Sequence, residues 1–253
     1  MENPTLNVLL NHRSVRRYKP DQPSDEVIQS IVCAGQQAPF ASQLYSVILS
    51  RKKKGPFGAP LLFTICVDLY RLERFMAIRG WKVVTNDLSL LMFGILDAAY
   101  MAENMVIAAE SLGLGSCFLG AAPYQASKLA KKYKLPKRVF PIVQLVMGYP
   151  AEQFPPRPRF PLSFTLFEDE YPELTDEQVA EAMKVMDEGY LQQGYYRKQK
   201  IMIELEGNRE ESFSHDDYSW TEHISRKWGQ WFPSPEELLE QLKERGFDLV
   251  KEE

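Results

Sequence analysis

The most hydrophobic region of the chain, Leu88 to Leu114, constrains the fold more than any other feature. It is broken by Asp97, Glu103, Asn104 and Glu110, which is too much polarity for a membrane span. A helix that is apolar on nearly every side has to be enclosed by other elements. The pattern therefore predicts a buried core helix from about Gly94 to Leu112. It closes on Gly113 and Gly115, where glycine tolerates a left-handed cap.

Three apolar, β-branched segments are candidates to enclose it: Tyr45–Ser50, Leu61–Leu69 and Val139–Met147, with the short run Ser116–Leu119 as a fourth strand. Ahead of them, Asn3 and Pro4 start a helix with Leu6, Leu9 and Leu10 on one face, ending near His12–Arg13–Ser14. Ser24 caps a second helix, with Asp25 and Glu26 at its positive end, Val27, Ile28, Ile31 and Val32 inward, and Ala38–Pro39 as the stop. A shorter helix, Tyr124 to Tyr133, precedes Pro136. Strands and helices mix without steady alternation, which leaves α/β and α+β both open.

After Pro150 the character changes. QFPPRPRFP, residues 153–161, is too proline-rich for helix or central strand. A helix capped by Thr175, an aromatic-rich stretch and a last helix capped by Ser234 follow. This tail shows no obvious core of its own and is expected to pack on the main body or on a second subunit. No repeat is visible.

At 253 residues, one domain with an appendage is expected rather than two independent domains. A net charge of −4 and a pI near 5.6 leave no electrostatic footprint for nucleic acid. Cys33, Cys66 and Cys117 are few, far apart and set in apolar runs, as buried thiols are in a reducing compartment. Residues 1–12 lack a basic n-region and a long apolar stretch. A cytoplasmic location, without membrane or nucleic-acid partners, is the expectation.

The densest polar constellation is His12–Arg13–Ser14–Val15–Arg16–Arg17, at a predicted helix end. Arginine offers a fork of donors matched to phosphate oxygens, and serine adds another. Arg157 and Arg159 alternate with prolines in a stiff extended segment, which cuts the entropy of holding such a pair. Two basic sites on an acidic chain could converge on one dianionic phosphate; a solvated face or an ion-pair site accounts for the same residues.

NHRSVRRYKPDQPSDEVIQSIVCAGQQAP resembles the N-terminus of the nitroreductase family, in which a helix, an R-S-x-R motif and a second helix ending in Ala-Pro follow in order. GILDAAYMAENMVIAAESLGLGSCFLG is similar to the family's central helix and following strand. VQLVMGYPAEQFPPRPRFP resembles its Gly-Tyr-Pro element, and R-P-R resembles the K-P-R of one branch. The resemblance spans roughly residues 5 to 165. It implies an α+β nitroreductase-like fold, with a central, mostly antiparallel mixed sheet flanked by helices. Residues 1–165 would be the FMN-binding core and 166–253 a helical C-terminal extension packing on that core or on the partner subunit.

The resemblance also implies FMN as cofactor and NAD(P)H as electron donor. It assigns His12, Arg13, Ser14 and Arg16 to the FMN phosphate and ribityl chain, with Arg157 and Arg159 as further phosphate contacts. Pro39, Phe40 and Ser42 fall in the cofactor loop, and the backbone at Leu119 and Gly120 falls near flavin N5, where a missing Cβ lets backbone approach a flat ring. No side chain is assigned a catalytic role, because the flavin carries the hydride. A homodimer with FMN at the subunit interface, passing hydride to a small conjugated acceptor such as a nitroaromatic or quinone, is implied.

One departure stands out. After Ala38–Pro39 the family usually reads S-x-x-N-x-Q-P-W, and here the run is Phe40 to Val47, with Tyr45–Ser46–Val47 in place of Gln-Pro-Trp. The altered loop keeps open a branch with other flavin chemistry, reductive dehalogenation or flavin fragmentation. A non-catalytic flavin sensor that uses its C-terminal arm to meet a partner also stays open. Arg51 to Gly55 reads as a solvated turn or as a site for the extra phosphate of NADPH. His215, Asp216, Asp217, Glu222 and His223 match no metal spacing. Trp220, Trp228, Trp231 and Tyr218 read as packing anchors, and Leu69–Asp87 as a surface helix or a lid.

Overall fold

The structure, a computed structural model, describes residues 3–51, 55–230 and 234–249. Lys52–Lys54 of the basic turn and Trp231 lie outside the described residues. The chain forms two units, residues 1–154 with 234–253, and residues 155–233.

The first unit is built on four strands: β1 (Tyr45–Arg51), β2 (Leu61–Asp68), β3 (Gly115–Leu119) and β4 (Val139–Gly148). Their order is β1-β2-β4-β3, with each neighbouring pair antiparallel. A parallel bridge between Ser14 and Ser116 makes the sheet mixed at its β3 edge. β2, buried along its whole length, is the near-continuous apolar run expected of a central strand.

Helices α1 (Pro4–Leu10) and α2 (Asp25–Gln36) start where Asn3 and Ser24 accept hydrogen bonds from the Leu6 and Val27 backbone N–H groups. Helix α3 (Tyr70–Ile78) is a surface helix, with Phe75 and Ile78 exposed and Trp81 exposed just beyond it. The core helix α4 runs Asp87–Ser111, seven residues longer at its start than the apolar pattern suggests. Asn86 caps it, its side chain accepting from Ser89 N–H at 2.8 Å. At the other end Gly113, at φ +79°, terminates it as read from the sequence.

The inner face of α4 packs with α2 on one side of the sheet. Ile31, Phe63, Ile65, Met101, Met105, Leu145 and Met147 meet there, all essentially sealed from solvent. Each such side chain contributes roughly 1.5–3 kcal/mol of burial. The helix has the length and hydropathy to cross a membrane, with a mean of 1.5 over 18 residues. Its packing against α2, β2 and β3 is that of a core helix. Its outer face is open: Leu88, Met92, Leu96 and Tyr100, spaced four apart, are each 43–56% exposed.

Helix α5 (Ala126–Tyr133) and the last helix of the chain (Pro235–Glu244) also belong to this unit and pack on each other. Leu242 and Phe247 enter a second apolar cluster with Leu44, Val67 and Phe140. Arg138 ties three elements together, reaching Glu73 on α3, Asp87 on α4 and the Gly246 carbonyl.

The second unit holds α6 (Asp176–Gln193), α7 (Tyr195–Gln199) and α8 (Trp220–Gln230), the closing helix of the first unit being α9. Thr175 and Gln178 form a full capping box on α6. Contrary to the sequence reading, the unit has its own small core, built from rings rather than aliphatic stripes. Tyr196 and Tyr218 are buried edge-to-face at 5.4 Å, and Trp220 stacks on Tyr190 at 6.4 Å. Arg226, 2% exposed, is enclosed by Glu211 and Glu222, each at 2.7 Å. Tyr218 and Trp220 are thus packing anchors, whereas Trp228 is 62% exposed.

Candidate functional site

The segment after α1 is drawn out straight by the sheet edge. Val15 N–H donates to the Ser116 carbonyl at 2.7 Å, and Lys19 N–H donates to the Tyr149 carbonyl at 2.8 Å. Tyr18 bridges Pro150, and Ala151 N–H donates to the Arg17 carbonyl. Val15 is buried against Gly115, where a Cβ would lie 2.5 Å from a Val15 methyl. Only glycine lets the segment lie this close to β3. With Val15 facing inward, strand alternation turns Ser14 and Arg16 the other way.

Carboxylates hold this strip in place without neutralising it. Glu110, on the last turn of α4, meets His12 Nδ1 at 2.8 Å, and Glu152 accepts from Arg16 N–H at 2.6 Å. Neither Arg13 nor Arg16 has a carboxylate partner among the described residues. Arg13, Glu110 and Gly113 line a cleft of about 330 Å³ with Asn7 and Asn11 of the first turn-and-helix segment. Burial pushes the Cys117 thiol up from its ordinary value, so it lacks the thiolate character of a nucleophile.

The second piece is the loop from Pro39 to Leu44. Asp97, 1% exposed in the middle of α4, accepts three of its backbone N–H groups: Ala41 at 2.6 Å, Ser42 at 3.0 Å and Leu44 at 2.9 Å. Gln43 turns the chain at φ +52°. Pro39 and Phe40 are exposed. Tyr45, Ser46 and Val47, which replace Gln-Pro-Trp, lie in β1 opposite Val67, Cys66 and Ile65. That part of the departure is a strand, as the Tyr45–Ser50 run predicts, and the open loop ends at Leu44.

The third piece is the turn at the far end of β3. Leu119 is half-buried and Gly120 exposed. An added Cβ at Gly120 would meet nothing within 4 Å, and its φ is ordinary. Among the described residues, nothing requires glycine there.

Arg157 and Arg159 belong to the second unit. Arg157 donates to Gln193 Oε1 at 2.7 Å and lies 4.1 Å over the Tyr195 ring. Arg159 curls back to the carbonyls of Arg157 and Pro158, at 3.1 Å each. The segment therefore does not project the two side chains alike.

The profile of the nitroreductase family matches residues 9–51 and 48–149, across the strip, the loop and the β3 turn. The chain belongs to the nitroreductase family. The family's C-terminal domain profile matches residues 157–250. The chain is 29% identical over 263 residues to an FMN reductase (NADPH) of Bacillus subtilis (strain 168), covering 97% of this chain and 99% of that protein. It is 32% identical over 179 residues to a Cr(VI) reductase of Pseudomonas sp. (strain G-1), covering 65% and 74%. The solved NfrA1 nitroreductase of B. subtilis superposes with a TM-score of 0.78 at 26% identity, covering 96% and 98%.

Within this nitroreductase fold, three carboxylates hold the strip and the loop in place: Glu110, Asp97 and Glu152. Sequence reasoning registered the first two only as interruptions of an apolar helix. A buried carboxylate is costly unless several donors surround it, so each was a signal that some distant backbone or side chain comes to meet it. Among the described residues, no three His, Cys, Asp or Glu side chains are grouped to hold a metal ion. His223 instead meets the Tyr218 hydroxyl at 3.1 Å.

Proposed function

We propose that this nitroreductase binds FMN and passes hydride from NAD(P)H, through flavin N5, to a small conjugated acceptor such as a nitroaromatic or quinone. The observation that carries this is the bridge of Ser14 to Ser116, at one end of a strand that ends at Leu119–Gly120. Three to four residues of β-strand cover roughly 10–14 Å, the scale of an extended ribityl phosphate. Donors for a phosphate stand at one end, and an exposed turn that leaves space for a flat ring stands at the other.

The residues have distinct tasks. Arg13, Ser14 and Arg16, with His12, supply donors and charge for the phosphate. Glu110 orients the His12 ring, and Glu152 fixes the Arg16 backbone. Asp97 freezes the 41–44 loop, in which Ser42, with Pro39 and Phe40 just before it, is assigned to the cofactor, so that its ordering cost is met on folding rather than on binding. The family resemblance adds Arg157 and Arg159 to the phosphate contacts. Leu119 and Gly120 offer backbone toward N5.

The open stripe Leu88–Met92–Leu96–Tyr100 supports a homodimer, because a contiguous apolar face of this kind marks an interface. We place the flavin at that interface and the enzyme in the cytoplasm, in keeping with three free cysteines.

The test is the visible spectrum of the purified protein before and after adding NADH or NADPH under nitrogen. Flavin bands that bleach with either donor support the reading. Absence of flavin, even after FMN is added, overturns it, and bands that persist with both donors remove NAD(P)H from the scheme.

A further inference from the structure

A second basic region lies away from the strip, where α5 meets α9. Residues 126–138 read ASKLAKKYKLPKR, and Lys128, Lys131, Lys132, Lys134 and Lys137 are all exposed on a chain of net charge −4. None of these lysines forms an ion pair among the described residues. Between the two helices is a cleft of about 440 Å³, lined by Ser127, Lys131, Leu135, Lys137, Glu244 and Arg245. That volume suits a small ligand.

Arg245 makes the cleft more than a patch of lysines. It is 8% exposed, yet no carboxylate pairs with its charge among the described residues. Its Nε donates to the Val139 carbonyl at 3.2 Å, and Nη2 donates to the carbonyls of Leu135 (2.9 Å) and Pro136. Nη1 makes no hydrogen bond among the described residues and is not sealed from solvent. Nε and Nη2 are held by backbone, while Nη1 stays open on a residue that lines the cleft. Burial pushes its proton affinity down, and the charge of Glu244 in the same cleft offsets that only in part. Lys137 Nζ donates to the Glu244 backbone carbonyl, which holds a second cation at the rim.

We propose that this cleft binds a phosphate or diphosphate group of a small ligand, at a site separate from the flavin strip. Arg245 Nη1 is the preorganised donor, and Lys131 and Lys137 supply the remaining charge. A guanidinium already fixed by its other contacts loses little entropy when Nη1 donates to a phosphate oxygen. Glu244 is the opposing group: its carboxylate accepts from the Ser127 hydroxyl and faces the same space. It tunes the site toward weaker, reversible binding.

The experiment is calorimetric titration of inorganic pyrophosphate into FMN-saturated protein, so that the cofactor's own phosphate contacts are filled. Binding of one pyrophosphate per chain is expected. Removing two charges in Lys131→Gln/Lys137→Gln should weaken it by about tenfold or more, with flavin content and the circular dichroism spectrum unchanged. Glu244→Gln should tighten it, a direction that misfolding does not produce. Competition by NADP+ would make a dinucleotide the source of the phosphates, and lack of competition a smaller phosphorylated metabolite; both outcomes support the site. No binding, or binding that neither variant alters, overturns it.

Discussion

At the scale of single residues, charges in this protein act chiefly by holding backbone. Asp97 receives three N–H groups from one loop. Asp97→Ala leaves them without their partner and should cost about 3 kcal/mol or more. For a chain of this size that lowers Tm by about 6–12 °C, which differential scanning calorimetry would show; an unchanged Tm would deny the carboxylate its role. Arg13→Ala and Arg16→Ala remove open donors rather than structural ones. Each should weaken FMN binding by about tenfold, read from quenching of flavin fluorescence, with Tm of the FMN-free protein unaltered. Cysteine chemistry divides just as sharply. Cys33 is exposed, whereas burial pushes the Cys66 thiol to about 12 and raises Cys117 as well. Iodoacetamide on the folded protein at pH 8 should modify Cys33 and spare the other two, by mass spectrometry of peptides.

At the scale of elements, local chemistry was legible and long-range partners were not. Asn3, Ser24 and Thr175 signal their helices because a cap is a contact within three residues. The four strands show as apolar, β-branched runs because burial selects those residues. The start of α4 was missed because its cap, Asn86, precedes the apolar region. The core of the second unit was missed because it is made of single rings and a buried arginine drawn one or two at a time from α6, α7, α8 and the segment before α8, which leaves no period to detect. Likewise, the basic strip was recognisable in the sequence, but the Glu110 and Glu152 that hold it lie about a hundred residues or more away. The stripe on α4 supplies its own prediction. Met92→Glu with Leu96→Glu adds charges to an open face and none to the core. Light scattering should report a monomer in place of a dimer, with α-helical signal retained. A dimer that survives both changes would move the interface elsewhere.

At the scale of the whole molecule, acid should act unevenly. Glu211 accepts from Arg226, which holds its carboxyl at about 2, below the usual 4.5. A carboxylate with a lowered folded value contributes stability that is complete above about 4.5 and lost as pH falls through about 2. Titration from pH 5 to pH 2 should therefore loosen the second unit as Arg226 loses the Glu211 charge, one of its two carboxylate partners, observed as falling hydrogen-exchange protection at Phe213 and Arg226. Glu211→Gln should show the looser exchange already at pH 7. Protection that is flat with pH would mean that packing of the rings alone maintains that unit.

The core helix α4 carries several of these constraints at once. Asp97 and Glu110 stand thirteen residues apart, about 20 Å along the axis, and one holds the 41–44 loop while the other holds His12. Its inner face fills the core and its outer stripe waits for a neighbour. Few substitutions on such an element can be neutral, since each face and each end answers to a separate requirement. Heritable change in what this enzyme reduces is thereby steered away from the helix and into segments it does not pin, such as the residues just beyond Ile78. Descendants of this sequence should diversify there first while α4 stays nearly still.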